Sequence, residues 1–133
     1  MDKLRTIKEW LEDFSINWDR EDDLQGNSPV SYRLTLEDEK ILRRTEDVLG
    51  GSRLVMQLQL SLIRISYLEE NPSLWVGEFS DWVDQQSAHA LAPWLGEGIT
   101  HYRLEKGKLE TNGDKAVYTV KIIATYEKLF EVN

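Results

Sequence analysis

From Gly50 to Tyr67 the chain reads GGSRLVMQLQLSLIRISY, with apolar residues on alternate positions. Leu54, Met56, Leu58, Leu60 and Leu62 share one parity and Val55, Gln57, Gln59 and Ser61 the other, which predicts a long β-strand with one face in a core. After Leu62 the apolar parity moves by one, to Ile63, Ile65 and Tyr67 flanked by Arg64 and Ser66. Such a slip predicts a β-bulge. Gly50 and Gly51 predict a tight turn, or a close approach to another chain, at the start of the strand.

The rest of the pattern supplies elements to pair with this strand or cover it. Leu4, Ile7, Leu11 and Phe14 recur at helical spacing with Trp10 beside them, so residues 3–14 predict an amphipathic helix. Residues 15–28 are acidic and turn-rich and predict a surface loop, with one short strand at Ile16 to Trp18. Tyr32, Leu34 and Leu36 alternate against Arg33 and Thr35, and the Glu37-Asp38-Glu39 run predicts a turn into a second arm over Lys40 to Thr45. Three sequential strands would then form an antiparallel meander.

Asn71-Pro72-Ser73 is a helix start, and Trp75, Phe79, Trp82, Val83 and Gln86 form an aromatic face on a helix running to about Ala90. Pro93, Gly96 and Gly98 end it and place Trp94 and Leu95 in a loop that folds onto the core or projects into a neighbour. Short strands follow at Ile99 to Glu105 and Lys108 to Thr111, separated by a turn at Lys106-Gly107. Asn112-Gly113-Asp114 is the strongest turn signal, and after it Tyr118, Val120, Ile122, Ala124 and Tyr126 alternate along a final strand, the best partner for Leu54 to Tyr67. The order predicts an α+β fold: a mixed or mainly antiparallel sheet of about four to six strands, with an N-terminal and a central helix on one face. No repeat, low-complexity tract or linker divides residues 1–133, so a single domain is expected.

Composition narrows the function classes. The chain has no cysteine, which removes disulfides, thiolate metal sites and cysteine nucleophiles. No stretch reads as a signal peptide or membrane span, so a soluble chain is expected. The formal net charge of −8 argues against a general nucleic-acid binder. Acid gathers early, at Glu12, Asp13, Asp19 and Glu21 to Asp23, while Arg43, Arg44, Arg53 and Arg64 surround the central strand. That split suits self-complementary surfaces in an oligomer, or two solvated loops of opposite sign. His89 and His101 stand apart with no metal-ligand or triad spacing, and no P-loop, G-x-G-x-x-G, G-x-S-x-G or H-E-x-x-H occurs. No catalytic, cofactor or metal residue is therefore assigned. Trp10, Trp75 and Trp82 fall on core-facing stripes; Trp18 and Trp94 fall in loops and are better candidates for a subunit contact, with an apolar ligand pocket as the other reading.

The order of motifs, GGSRLVMQLQLSL, EFSDWVDQQ, PWLGEGIT and then KGKLETNGDKAVYTVKIIATYE, resembles the minor capsid protein family of tailed phages and prophages, of the tail-terminator type. The similarity covers about residues 40–127. It implies a non-enzymatic α+β subunit of a homo-oligomeric ring, commonly hexameric, that caps the tail tube or joins tail to head. It also implies tail-tube and head-connector proteins as partners, DNA passing through the lumen without specific binding, no membrane, and a place in the virion or, during assembly, the host cytoplasm. On that reading Gly50, Gly51 and Arg53 at the strand entrance and Arg64 at its slipped end join Trp18, Trp94 and Leu95 as expected subunit contacts. A small-ligand or peptide-binding module, using the tryptophan-rich helix against the sheet, is the alternative.

Overall fold

In the computed structural model, residues 1–18, 30–46 and 50–131 are described, with backbone alone at Phe130 and Glu131. The elements run α1 (Lys3–Glu12), β1 (Val30–Glu46), β2 (Gly51–Tyr67), α2 (Pro72–Ala88), β3 (His101–Asn112) and β4 (Lys115–Glu131). The strands form one antiparallel sheet in the order β1-β2-β4-β3. The α+β class, the antiparallel sheet and the two predicted helices are as the sequence pattern indicated.

The central strand pairs with the final strand along its whole length, Gly51 opposite Glu131 and Tyr67 opposite Lys115, without a register shift. Leu58, Leu60 and Leu62 stand opposite Ala124, Ile122 and Val120, and all six are buried. Residues directly opposite in an antiparallel pair share a face, so this row is the sheet's contribution to the core. The bulge expected after Leu62 is absent. Arg64 and Ser66 stay on the core face, buried among apolar neighbours, and Ile63 and Ile65 simply occupy the other face. What looked like a shift of register is two polar residues inside the core.

Three further expectations are corrected. Glu37 to Glu39 do not turn: β1 continues through them and absorbs the charged run in register shifts between Leu36 and Asp38 and between Ile41 and Arg43. The meander is thus a single antiparallel β1-β2 pair, and residues 47–49 lie outside the described residues. Lys106-Gly107 is likewise a bulge within one strand, Lys106 taking a φ of 54°, because Glu105 and Lys108 keep their partners Lys121 and Thr119 on β4. No strand forms at Ile16 to Trp18, although Ile16 is buried. Of the expected 15–28 loop, residues 19–28 lie outside the described residues. The turn at Asn112-Gly113-Asp114 is present, with Gly113 at a φ of 61° and Asn112 paired to Lys115.

Both helices lie on the Leu58–Leu62 side. Ile7, Trp10 and Leu11 of α1 and Phe79 and Val83 of α2 are buried, and Phe14, Trp75 and Trp82 pack at the margin of the same cluster. Their rings fill the space between helices and sheet: Trp10 stacks on Trp82 at 5.1 Å, Trp75 on Phe79 at 4.9 Å, and Tyr102 lies 4.6 Å from Trp10. The Trp10 indole donates to Gln86 Oε1 at 3.0 Å, tying α1 to α2. Asn71 stands at the N-cap position of α2, and its side-chain oxygen accepts from the Ser73 hydroxyl at 2.6 Å and makes no bond to a backbone N–H of the first turn.

Candidate functional site

The helices cover one face of the sheet, and no described element covers the other. On that open face the register brings together Arg33, Ile63 and Thr119, then Ser31, Ile65 and Val117, then Asp38, Gln59 and Ile123. Ile123 is only 2% exposed yet does not belong to the helix-side core cluster. Ser31, Arg33, Ile63 and Ile65, with Tyr32, line a depression of about 130 Å3. Between these rows lie Thr35, Ser61, Lys121 and Glu105, so the open face is mostly polar and charged, with an apolar patch at Ile63, Ile65 and Val117 toward one end, a mixture found on protein-contact surfaces.

Its charges are unevenly paired. Lys121 reaches Glu37 at 3.6 Å, Arg53 reaches Glu127 at 3.7 Å, Lys108 reaches Glu110 at 2.8 Å, and Arg103 pairs with Glu105. Arg33, Lys40 and Arg43, on β1, carry no ion pair among the described residues. Each stands opposite an odd-numbered residue of β2, Ile63, Gln57 and Val55, which places all three on the open face.

The outer helix α2 has the opposite sign. Every charged residue of α2 is acidic, and Glu78, Asp81 and Asp84 are exposed along one stripe. On α1 the charges are mixed: Arg5 pairs with Glu9 at 3.2 Å, and Lys3 and Lys8 share the helix with Glu12. The same α2 stripe contains Gly77, exposed, with open space where a Cβ would stand.

The residues expected at subunit contacts divide between surface and interior. Gly50, at a φ of 88°, is exposed, as is Arg53; Gly51 opens β2. Trp94 is 52% exposed. Leu95, 4% exposed, is folded inward, its N–H donating to Thr100 Oγ1 at 2.8 Å. The loop thus does both things foreseen for it, one residue anchoring and its neighbour projecting. Trp18 packs at the margin of the core and donates its indole N–H to the Lys8 carbonyl at 3.2 Å.

Arg64, 5% exposed, is held inside the chain. It donates to Glu69 Oε2 at 2.8 Å and Oε1 at 3.0 Å and to the Tyr32 hydroxyl at 3.2 Å, and its guanidinium lies 4.4 Å from the Trp75 ring centre. This bidentate pair, stacked on an aromatic face, satisfies a charge that burial would otherwise penalise. The hydrogen bonds from Arg64 hold the Glu69 carboxyl below its usual range, against the opposing effect of burial. Glu39, on β1, is likewise held low, first by the Tyr126 hydroxyl and then by Lys3, whose ammonium lies 3.0 Å away.

His89 and His101 are both exposed. Among the described residues no group of three or more His, Asp or Glu side chains is placed to hold a metal ion, and no helix is long and apolar enough to cross a membrane.

The open face, Arg33 with Lys40 and Arg43, and Gly77 were not singled out from the sequence. The signal for the glycine was present, since it sits mid-helix beside the polar residues rather than on the aromatic stripe. The fold defines the chain as a two-layer α+β protein, an antiparallel sheet covered on one side. No protein-family model matches the chain, and no curated protein matches it.

Proposed function

We propose that this chain is a structural, ring-forming subunit of a phage or prophage virion, one that caps the tail tube or joins tail to head without catalysis. The observation that carries the reading is the one-sided architecture: three strands of 17 residues present a face that no described element covers, with an apolar patch at Ile63, Ile65 and Val117, while the helix side is filled by its own aromatic rings. Such a face suits contact with further protein. The motif order GGSRLVMQLQLSL, EFSDWVDQQ, PWLGEGIT and KAVYTVKIIATYE supports the virion setting by resemblance. The alternative, a ligand held between the tryptophan-rich helix and the sheet, would need space that Trp10, Trp75, Phe79 and Trp82 fill.

The experiment is electron microscopy of the full chain, alone and mixed with a phage tail-tube protein. Rings, or tubes capped at one end, are the expected result. Monomers beside uncapped tubes at every concentration tried would overturn the reading.

A further inference from the structure

The charge asymmetry and the exposed glycine, which nothing among the described residues requires, point to the same contact. We propose that copies of this chain associate front to back, the open sheet face of one copy receiving the acidic outer stripe of α2 of the next. The inference rests on the ring-forming reading and deepens it by naming the two surfaces.

Three observations carry it. First, the signs are largely opposite: Arg33, Lys40 and Arg43, which carry no ion pair among the described residues, lie on the open face with one such acid, Asp38, among them, and Glu78, Asp81 and Asp84 lie on the helix stripe. Opposed patches of this kind select orientation and partner, and within a chain of net charge −8 a basic sheet face is a local reversal.

Second, Gly77 sits inside a helix, where glycine is a poor residue, and no described residue lies within 4 Å of the place a Cβ would take. A close approach by another backbone gives it a reason. Leu74, 59% exposed one turn before Gly77, supplies an apolar contact for the depression at Ile63 and Ile65.

Third, the sheet edges are poorly suited to join copies. The β1 edge is interrupted by two register shifts and the β3 edge by one at Lys106-Gly107, devices that discourage edge pairing. That leaves the faces. With α1 lying beside α2, a helix layer roughly 25 Å long and about 20 Å wide, laid on a four-stranded sheet, covers on the order of 1,000 Å2 summed over both partners, the lower end of specific interfaces, with the α2 stripe at its centre. Because the two surfaces differ, the contact is heterologous, and repeated around an axis it closes a ring.

The absence of cysteine from the chain makes the test direct. Ser61→Cys on the open face and Asp81→Cys on α2 are introduced together, and the assembled protein is mildly oxidised and mapped by peptide analysis. Bonds joining position 61 of one copy to position 81 of another are expected, with a ladder of covalent oligomers. Assembly equal to wild type with no 61-to-81 bond would overturn this inference and leave the ring reading standing. A wild-type chain that never assembles would overturn both.

Two further arms read the same contact. Gly77→Ala is expected to raise the melting temperature of the subunit while weakening assembly at least tenfold; a stabilised subunit that assembles normally counts against the proposal. Arg33→Glu with Arg43→Glu, and separately Asp81→Lys with Asp84→Lys, are each expected to abolish self-association, and an equimolar mixture of the two variants to restore it. A labelled DNA duplex that binds wild type and is released by the Arg33→Glu, Arg43→Glu variant, with self-association unchanged, would overturn the proposal in favour of a polyanion site.

Discussion

Arg64 shows how a single side chain can mislead a reading by pattern. A strand that alternates Leu58, Leu60, Leu62 and then places arginine and serine on the same parity looks as though it has slipped, whereas the chain keeps its register and buries the guanidinium against Glu69, Tyr32 and Trp75. Removing the carboxylate leaves a buried cation without its partner, a change worth about 3 kcal/mol. Glu69→Gln is therefore expected to lower stability by about that amount at pH 7 in urea unfolding. The pH dependence follows from the direction of the shift. The folded-state value of Glu69 lies below the ordinary 4.5, so its contribution is complete above that pH and is lost as pH falls through the lowered value. The stability gap between wild type and Glu69→Gln is expected to narrow across that acid window; a gap independent of pH would show that the charge on Glu69 contributes nothing.

Among the elements, the loop between α2 and β3 is the part most tightly specified by one residue. Glu97 donates its backbone N–H to the Glu127 carbonyl at 2.8 Å, and the Gly96 backbone lies so close that a Cβ would collide with that carbonyl oxygen and with the Tyr126 ring. The close approach latches the loop to β4, buries Leu95 and leaves Trp94 outside. Gly96→Ala is expected to cost about 1–3 kcal/mol through overpacking and to raise amide exchange from Leu95 to Thr100, measured by hydrogen–deuterium exchange. An exchange pattern equal to wild type would mean that the loop is held by the Leu95–Thr100 bond instead.

Much at this scale was legible. The parity of Leu54 to Leu62 and of Tyr118 to Tyr126 gave the central pairing, and the aromatic spacing gave the buried faces of both helices. The failures share a cause. Glu37-Asp38-Glu39 and Lys106-Gly107 have turn-like composition, and composition cannot distinguish a turn from a bulge when an adjacent strand is long enough to carry the pairing through. Of the residues expected at contacts, Trp94 and Arg53 are exposed, while Arg64 and Leu95 are buried. Exposure depends on what packs over a position, and alternation along one strand does not reveal whether a helix lies above it.

For the molecule as a whole, helices and strands share one core. Phe79 touches that core from α2, with ring contacts to Phe14, Trp75 and Trp82, so neither layer has an apolar cluster of its own to fall back on. Phe79→Ala is expected to destabilise by about 3–5 kcal/mol, with tryptophan fluorescence and far-ultraviolet circular dichroism lost in one coincident transition. Separate transitions would show that the sheet persists without its helices.

The interrupted edges of β1 and β3 have one more consequence. A long antiparallel sheet with straight edges is a template on which further strands can zip, and many copies concentrated at one site would then risk open-ended cross-β growth. By breaking the ladder at Glu37, Leu42 and Lys106-Gly107, this chain closes off the route to fibres while leaving its faces free.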